Sequence, residues 1–249
     1  LRHGHRSQQR QSGHPCFDAT IGRLNTDGSW DTSFSSDGKA IEHFDNDDVF
    51  QAVAIQADGK IVAVGTSQFN HTAGNILLAR YNTDGTLDNS FGGGDGWQVT
   101  DFSNQDRGWD VKIQSNGKIV VAGLCDYANV SGDGRYGLVG RFNTDGSLDT
   151  SFSGDGKICQ NLGGTTDTFQ ALEIQSNGKI IAAGYTNNGG NGSDVAAARF
   201  TTAGALDTSF SGDGLFQLDT GNQHQEYIHG SSLTPDGQSI LLVGQIVQA

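Results

Sequence analysis

Four acidic residues, Asp48, Asp106, Asp167 and Glu226, stand at equivalent places in a repeating chain. Three residues beyond each come Gln51, Trp109, Gln170 and His229. Carboxylates gathered around one axis repel one another unless a cation joins them or some take up protons. A wide ring of hard oxygen donors suits Ca²⁺ better than Zn²⁺. Such an ion, held by Asp48, Asp106, Asp167 and Glu226, would polarise a carbonyl and acidify a bound water. Asp106 and His229 would then form the catalytic pair, His229 as general base near neutral pH, with His224 as a second candidate. Trp109 would supply an apolar wall for a small-molecule substrate, with Gln51, Gln170 and Tyr127 as further contacts. The competing reading makes each carboxylate a cap on the loop entering its strand, facing solvent at a rim.

Two alternating segments must position these residues. The first recurs as IGRLNTDGSWDTSF, LARYNTDGTLDNSF, VGRFNTDGSLDTSF and AARFTTAGALDTSF, beginning at Ile21, Leu78, Val139 and Ala197. The second is AIQADGKIVAVG, KIQSNGKIVVAG, EIQSNGKIIAAG and SLTPDGQSILLVG, beginning at Ala54, Lys112, Glu173 and Ser232. Its turn glycines Gly59, Gly117, Gly178 and Gly237 are 58, 61 and 59 residues apart, a period that announces a repeat architecture.

Each repeat carries four strand signals. In the first complete copy they fall at Phe50–Gln56, Lys60–Thr66, Asn75–Asn82 and about Gly96–Phe102. Asp58-Gly59 and Thr83-Asp84-Gly85 supply turns, where glycine accepts positive φ. Four antiparallel strands per repeat, with no helical periodicity, predict an all-β fold of β-propeller blades. The expected layout is a disordered tail at 1–15 and a propeller over 16–249. Its blades span 46–104, 105–163 and 164–220, and a split blade combines 16–45 with 227–249. Pairing of the two terminal halves would close a four-bladed ring and remove exposed edges. Two other arrangements satisfy the same pattern: half of an eight-bladed ring completed by a second copy, and a piece of a longer array.

The joined motifs xRxNTDGxLDxSFxxDG and xIQxDGKIVVxG resemble the delta-sixty repeat family of bacterial propeller-like repeats, over residues 17–247. The resemblance implies propeller architecture, secreted or surface-exposed, and brings no catalytic residues with it. The fourth copy departs from the motif at Thr201–Gly204, where TTAG replaces NTDG.

Other recurrent polar groups have candidate chemistry of their own. Asn25, Asp27 and Asp31, and their counterparts Asn82, Asp84 and Asp88 and Asn143, Asp145 and Asp149, resemble part of a calcium loop but lack its terminal bidentate Glu. Capped hairpin turns account for the same spacing. Arg23, Arg80, Arg141 and Arg199 each precede an Asp by eight residues, the spacing of an ion pair across a hairpin. The loops Ser67–Gly74, Leu124–Gly137 and Thr186–Ser193 vary, as ligand-contacting loops do.

The bulk composition sets outer limits. The chain has 249 residues, 37 of them Gly and 2 Pro, and a formal net charge of −13. That charge argues against phosphate-neutralising contact with nucleic acid. No apolar run is long enough to span a membrane as a helix. Cys16, Cys125 and Cys159 leave one disulfide open and the redox compartment undecided. The first fifteen residues are polar and basic, unlike a secretory signal, and the start at Leu1 reads as a processed or truncated end. Two functions follow as expectations. One is a calcium-dependent hydrolase of a small ester or lactone. The other is a non-catalytic binding or surface-display module. Under either, a homodimer by ring or edge completion is expected.

Overall fold

The computed structural model describes residues 17–44, 47–68, 74–126, 134–187, 192–219 and 225–247. The expected tail, Tyr127, His224 and most of the three variable loops lie outside them. The expected blades are present. Strands β3 (Val49–Ile55), β4 (Ile61–Ser67), β5 (Asn75–Tyr81) and β6 (Trp97–Thr100) pair antiparallel in that order. A second unit contains β7 (Gln105–Ile113), β8 (Ile119–Asp126), β9 (Arg135–Phe142) and β10 (Lys157–Gln160). The third contains β11 (Thr166–Ile174), β12 (Ile180–Asn187), β13 (Ser193–Phe200) and β14 (Leu215–Leu218).

Half-units flank them: β1 (Ala19–Gly22) with β2 (Lys39–Glu42) at the start, and β15 (Gln225–Leu233) with β16 (Ile240–Val247) at the end. The pairing expected between these halves is not made among the described residues. Among the described residues β1 pairs with β2 and β16 with β15, and no ladder joins the two half-units. Instead, Ile21, Phe34 and Ala40 of the first half-unit share a core with Ala63, Ala79 and Tyr81 of the first complete blade. Single parallel bridges, Thr166 to Arg135 and Ser193 to Gln225, link successive units at one end.

Packing between units explains the burial pattern. The middle strands are covered on both faces: Val62, Val64, Leu77, Leu78, Val120, Ala122, Leu138, Val139, Ala182 and Ala196 are all fully buried. Two-sided burial is why these stretches read as near-continuous apolar runs rather than alternating ones. The first strand of every unit also carries a β-bulge. The register slips at Phe50/Ala52, Gly108/Asp110, Phe169/Ala171 and Ile228/Gly230. The extra residues are Gln51, Trp109, Gln170 and His229, the positions three beyond the recurrent acidic residues. Opposite each bulge the backbone comes so close that only glycine fits. A Cβ on Gly65, Gly123, Gly184 or Gly244 would lie 1.8–2.0 Å from a carbonyl oxygen of the first strand. Bulges bend and twist a strand, so each inner strand turns away where the next unit begins.

Cys125 of β8 and Cys159 of β10 form a disulfide, which settles the pairing left open by the sequence.

Candidate functional site

The structure places the four acidic residues at the junctions between units, and each is buried. Asp48 accepts the Phe44 N–H at 2.9 Å. Asp106 accepts the N–H groups of Phe102 and Ser103 at 2.6 and 3.1 Å, with the Ser103 hydroxyl near its other oxygen. Asp167 accepts the Leu162 N–H at 2.7 Å and the Thr186 hydroxyl at 2.6 Å. These carboxylates cap the chain where it leaves one unit and enters the next, as the competing reading held, though buried rather than facing solvent.

Burial dominates their titration. Desolvation raises the Asp106 carboxyl to about 6 against the donors of Phe102 and Ser103, and it raises Asp167 in the same direction. Local donors engage Asp106 and Asp167 through the contacts just described. His229 and Gln51 are exposed on their bulges, while Trp109 and Gln170 are half-buried. The indole N–H of Trp109 is buried without a hydrogen-bond partner.

Asp110, beside the second bulge, has a role that sequence reasoning did not assign. It accepts the Leu172 N–H of the next unit at 2.8 Å and the Val111 N–H of its own strand at 2.8 Å. It therefore brackets β7 to β11, and burial raises its carboxyl pKa. The equivalent positions, Ala52, Ala171 and Gly230, have no side chain able to do this.

The NTDG turns and Arg–Asp pairs form a second recurrent device. Asp88 accepts Arg80 Nε at 2.7 Å and Lys60 Nζ at 2.7 Å on one oxygen, and the Ser90 N–H and hydroxyl on the other. Asp149 does the same with Arg141, Lys118 and Ser151. Asp207 does so with Arg199, Lys179 and Ser209. Burial opposes the charge on Asp88 and Asp149, yet the lysine, serine and arginine donors prevail and hold both carboxyls well below the ordinary range. Each arginine also covers a phenylalanine ring: Arg23 on Phe34, Arg80 on Phe91, Arg141 on Phe152 and Arg199 on Phe210.

The turn of the following unit then closes over this hub. Arg23, Arg80 and Arg141 donate through Nη1 to the carbonyls of Thr83, Thr144 and Thr202. The N–H groups of Ser35, Gly92 and Ser153 donate to the carbonyls of Asp84, Asp145 and Ala203 at 2.7–2.9 Å. Every acceptor in this lock is a backbone carbonyl. The TTAG copy at Thr201–Gly204 thus keeps its place without the Asp, whose side chain elsewhere only caps its own turn, as Asp84 does for Thr86. These turns are fasteners, and their Asn and Asp side chains bond within the turn.

The stretches bounded by these fasteners are the ones that match a known family. Residues 56–91, 114–152 and 175–210 match the family model described as a domain of unknown function (DUF5122) beta-propeller. Each matched stretch falls in one of the three complete units. Each match begins at a glutamine, Gln56, Gln114 or Gln175, and ends at the capped phenylalanine, Phe91, Phe152 or Phe210. Gln114 and Gln175 reach forward to the carbonyls of Gly178 and Gly237 in the next unit.

No curated protein matches the sequence. Among solved structures, the chain is similar to a candidate gluconolactonase, at 13% identity and TM-score 0.41 over 89% of this chain and 62% of that one. A second is PorZ, a surface component of the type-IX secretion system of Porphyromonas gingivalis, at 11% identity and TM-score 0.38 over 82% of this chain and 26% of that one. A third is a gluconolactonase of Xanthomonas campestris, at 12% identity and TM-score 0.29 over 85% and 74% of the two chains. The chain thus spans under two thirds of the first two structures' lengths. Likeness at this level bears on neither activity nor substrate.

Several described side chains near the strand ends that border the variable loops differ between units. Burial, and then the charge of nearby Arg135, lower the pKa of the Arg107 guanidinium, and Arg135 faces Asp126 at 3.8 Å. Tyr185 packs edge-on against Tyr227 with ring centroids 4.8 Å apart, and burial raises its phenol pKa. None of these groups belongs to the recurrent fasteners.

Proposed function

We propose that this chain is a non-catalytic binding scaffold, a run of propeller blades that displays its ligand-contacting residues on the loop-bearing face. One observation carries the reading: the recurrent acidic residues are engaged in holding unit to unit. Asp48, Asp106 and Asp167 cap junction backbone, and Asp88, Asp149 and Asp207 anchor Arg–Lys hubs. The groups free to vary are Arg107, Arg135, Tyr185 and Tyr227, at the strand ends beneath the loops. Guanidinium groups beside aromatic rings suit a ligand that offers an anionic group together with a flat apolar face.

The hydrolase reading makes the opposite prediction, so one experiment separates them. The purified chain is offered chromogenic esters and acyl lactones, with calcium and with chelator. The scaffold reading expects no turnover above the uncatalysed rate in either condition. Turnover that disappears with chelator and in Asp106→Asn, while the variant retains its fold, would establish the hydrolase instead.

A further inference from the structure

The locks between units leave one turn and one socket unused, at opposite ends of the run. The turn is Asn25–Gly28 of the first half-unit. At the three internal junctions a Cβ on the equivalent glycine, Gly85, Gly146 or Gly204, would strike the phenylalanine ring or serine N–H of the preceding unit at 2.7–3.0 Å. At Gly28 nothing lies within 4 Å. The socket is Arg199, Phe210 and Ser211. Phe34, Phe91 and Phe152 are fully buried beneath a docked turn, whereas Phe210 is only half-buried. Ser211 has the same left-handed backbone as Ser35 and Ser153, with φ of 54° against 49° and 54°. Its N–H is therefore already set for an incoming carbonyl.

Strand edges tell the same story independently. In the three complete units the second strand pairs along its length with a third, Ile180 with Phe200 through Asn187 with Ser193 in the last of them. β16 is the fourth second strand and, among the described residues, pairs with β15 alone. Leu241 is 62% exposed, whereas its counterparts Val62, Val120 and Ile181 are at most 3% exposed. Beside it, a groove of about 470 Å³ is lined by Val195, Phe216, Leu218 and Leu242 among others. β1 is the fourth third strand, paired with β2 in the register that β5 keeps with β6, and among the described residues its other edge has no strand partner.

We propose that the β1–β2 half-unit of a second copy of this chain completes the β15–β16 half-unit. Its β1 adds to β16, and its Asn25–Gly28 turn closes on Arg199, Phe210 and Ser211. Both contacts require the same placement, which continues an interface that the molecule already makes three times. The contact is head-to-tail, so the copies close a ring or extend a filament. This inference does not depend on the reading of the loop face.

Sedimentation of the full chain across micromolar concentrations tests it. The expected mass rises with concentration from 26.2 kDa to twofold or more. The variant Gly28→Asn should stay monomeric, because asparagine tolerates left-handed backbone but places a side chain where the ring must lie. An unchanged melting temperature in that variant shows that only docking was lost. A chain that remains monomeric throughout, or assemblies indifferent to Gly28→Asn, would overturn the proposal. Cross-linking gives a second reading. Asp27→Cys chains mixed with Ser211→Cys chains, both in a Cys16→Ser background, should form a disulfide between two molecules. A single chain bearing both substitutions that links only to itself at high dilution would place the turn on its own socket and overturn the proposal.

Discussion

Asp106 and Asp149 show how one side chain type serves opposite electrostatic ends at two different junctions of the molecule. Asp106 is buried against backbone donors with no ion-pair partner, and its carboxyl titrates at about 6. A raised carboxyl pKa contributes stability that is fully present below the unfolded value near 3.8 and is lost as pH rises through about 6. Asp106→Asn should therefore cost stability at pH 4 and cost less, or nothing, at pH 8, which urea unfolding at the two pH values checks. Asp149 has the reverse sign. Its pKa is depressed, so its contribution is present above the ordinary carboxylate value and is lost as pH falls further. Asp149→Ala strands the buried Arg141 guanidinium and should cost about 3 kcal/mol or more at pH 7, read from the same unfolding curves. The sequence showed the Arg–Asp spacing plainly, because eight residues across a tight turn bring two side chains face to face. It could not show that Lys60, Lys118 and Lys179 join the pair from another strand, since that contact spans 28 to 31 residues. Nor could it show whether Asp48, Asp106 and Asp167 meet around an axis or bond to the nearest backbone; the motif is compatible with both.

Among the elements, the bulged first strand shows most clearly what the repeat pattern encodes. The glycine that ends each VAVG, VVAG, IAAG or LLVG run recurs because the bulge brings a carbonyl to where a Cβ would be. Gly123→Ala should destabilise the fold by about 1–3 kcal/mol or more, since the clash is with backbone that cannot rotate away; thermal unfolding by circular dichroism would register it. The disulfide between β8 and β10 closes a loop of 34 residues. Its removal by Cys159→Ser should lower stability by about 3–4 kcal/mol on the loop-entropy scale, seen as a drop in melting temperature that reductant produces in the parent but not in the variant. Strand positions were legible to within a residue or two, because the turn dipeptides and apolar runs bound them. The bulges were not, although Gln51, Trp109, Gln170 and His229 stood out as irregular. A residue inserted in the ladder escapes the packing demands that make its neighbours alike, which is how Trp109 and His229 come to stand where two other units carry Gln, and why these positions first read as chemistry.

At the scale of the whole molecule, units are joined by contacts between immediate neighbours, so stability should accumulate junction by junction. Protonation below the ordinary carboxylate range removes the charge at Asp88, Asp149 and Asp207 together. Acid unfolding should accordingly be steep below about pH 4, and a pH titration of tryptophan fluorescence would follow it. The propeller class was legible from period and strand count alone. The way the run ends was not, because pairing of the two terminal halves depends on the angle between successive units, which no local motif states. The turn at Thr201–Gly204 has a practical consequence. Its contribution to the junction is the carbonyl of Ala203, while the Ala203 side chain points into solvent. A cysteine introduced there could carry a fluorophore beside a seam between units while leaving the seam intact, so that the opening of a single joint could be watched in real time.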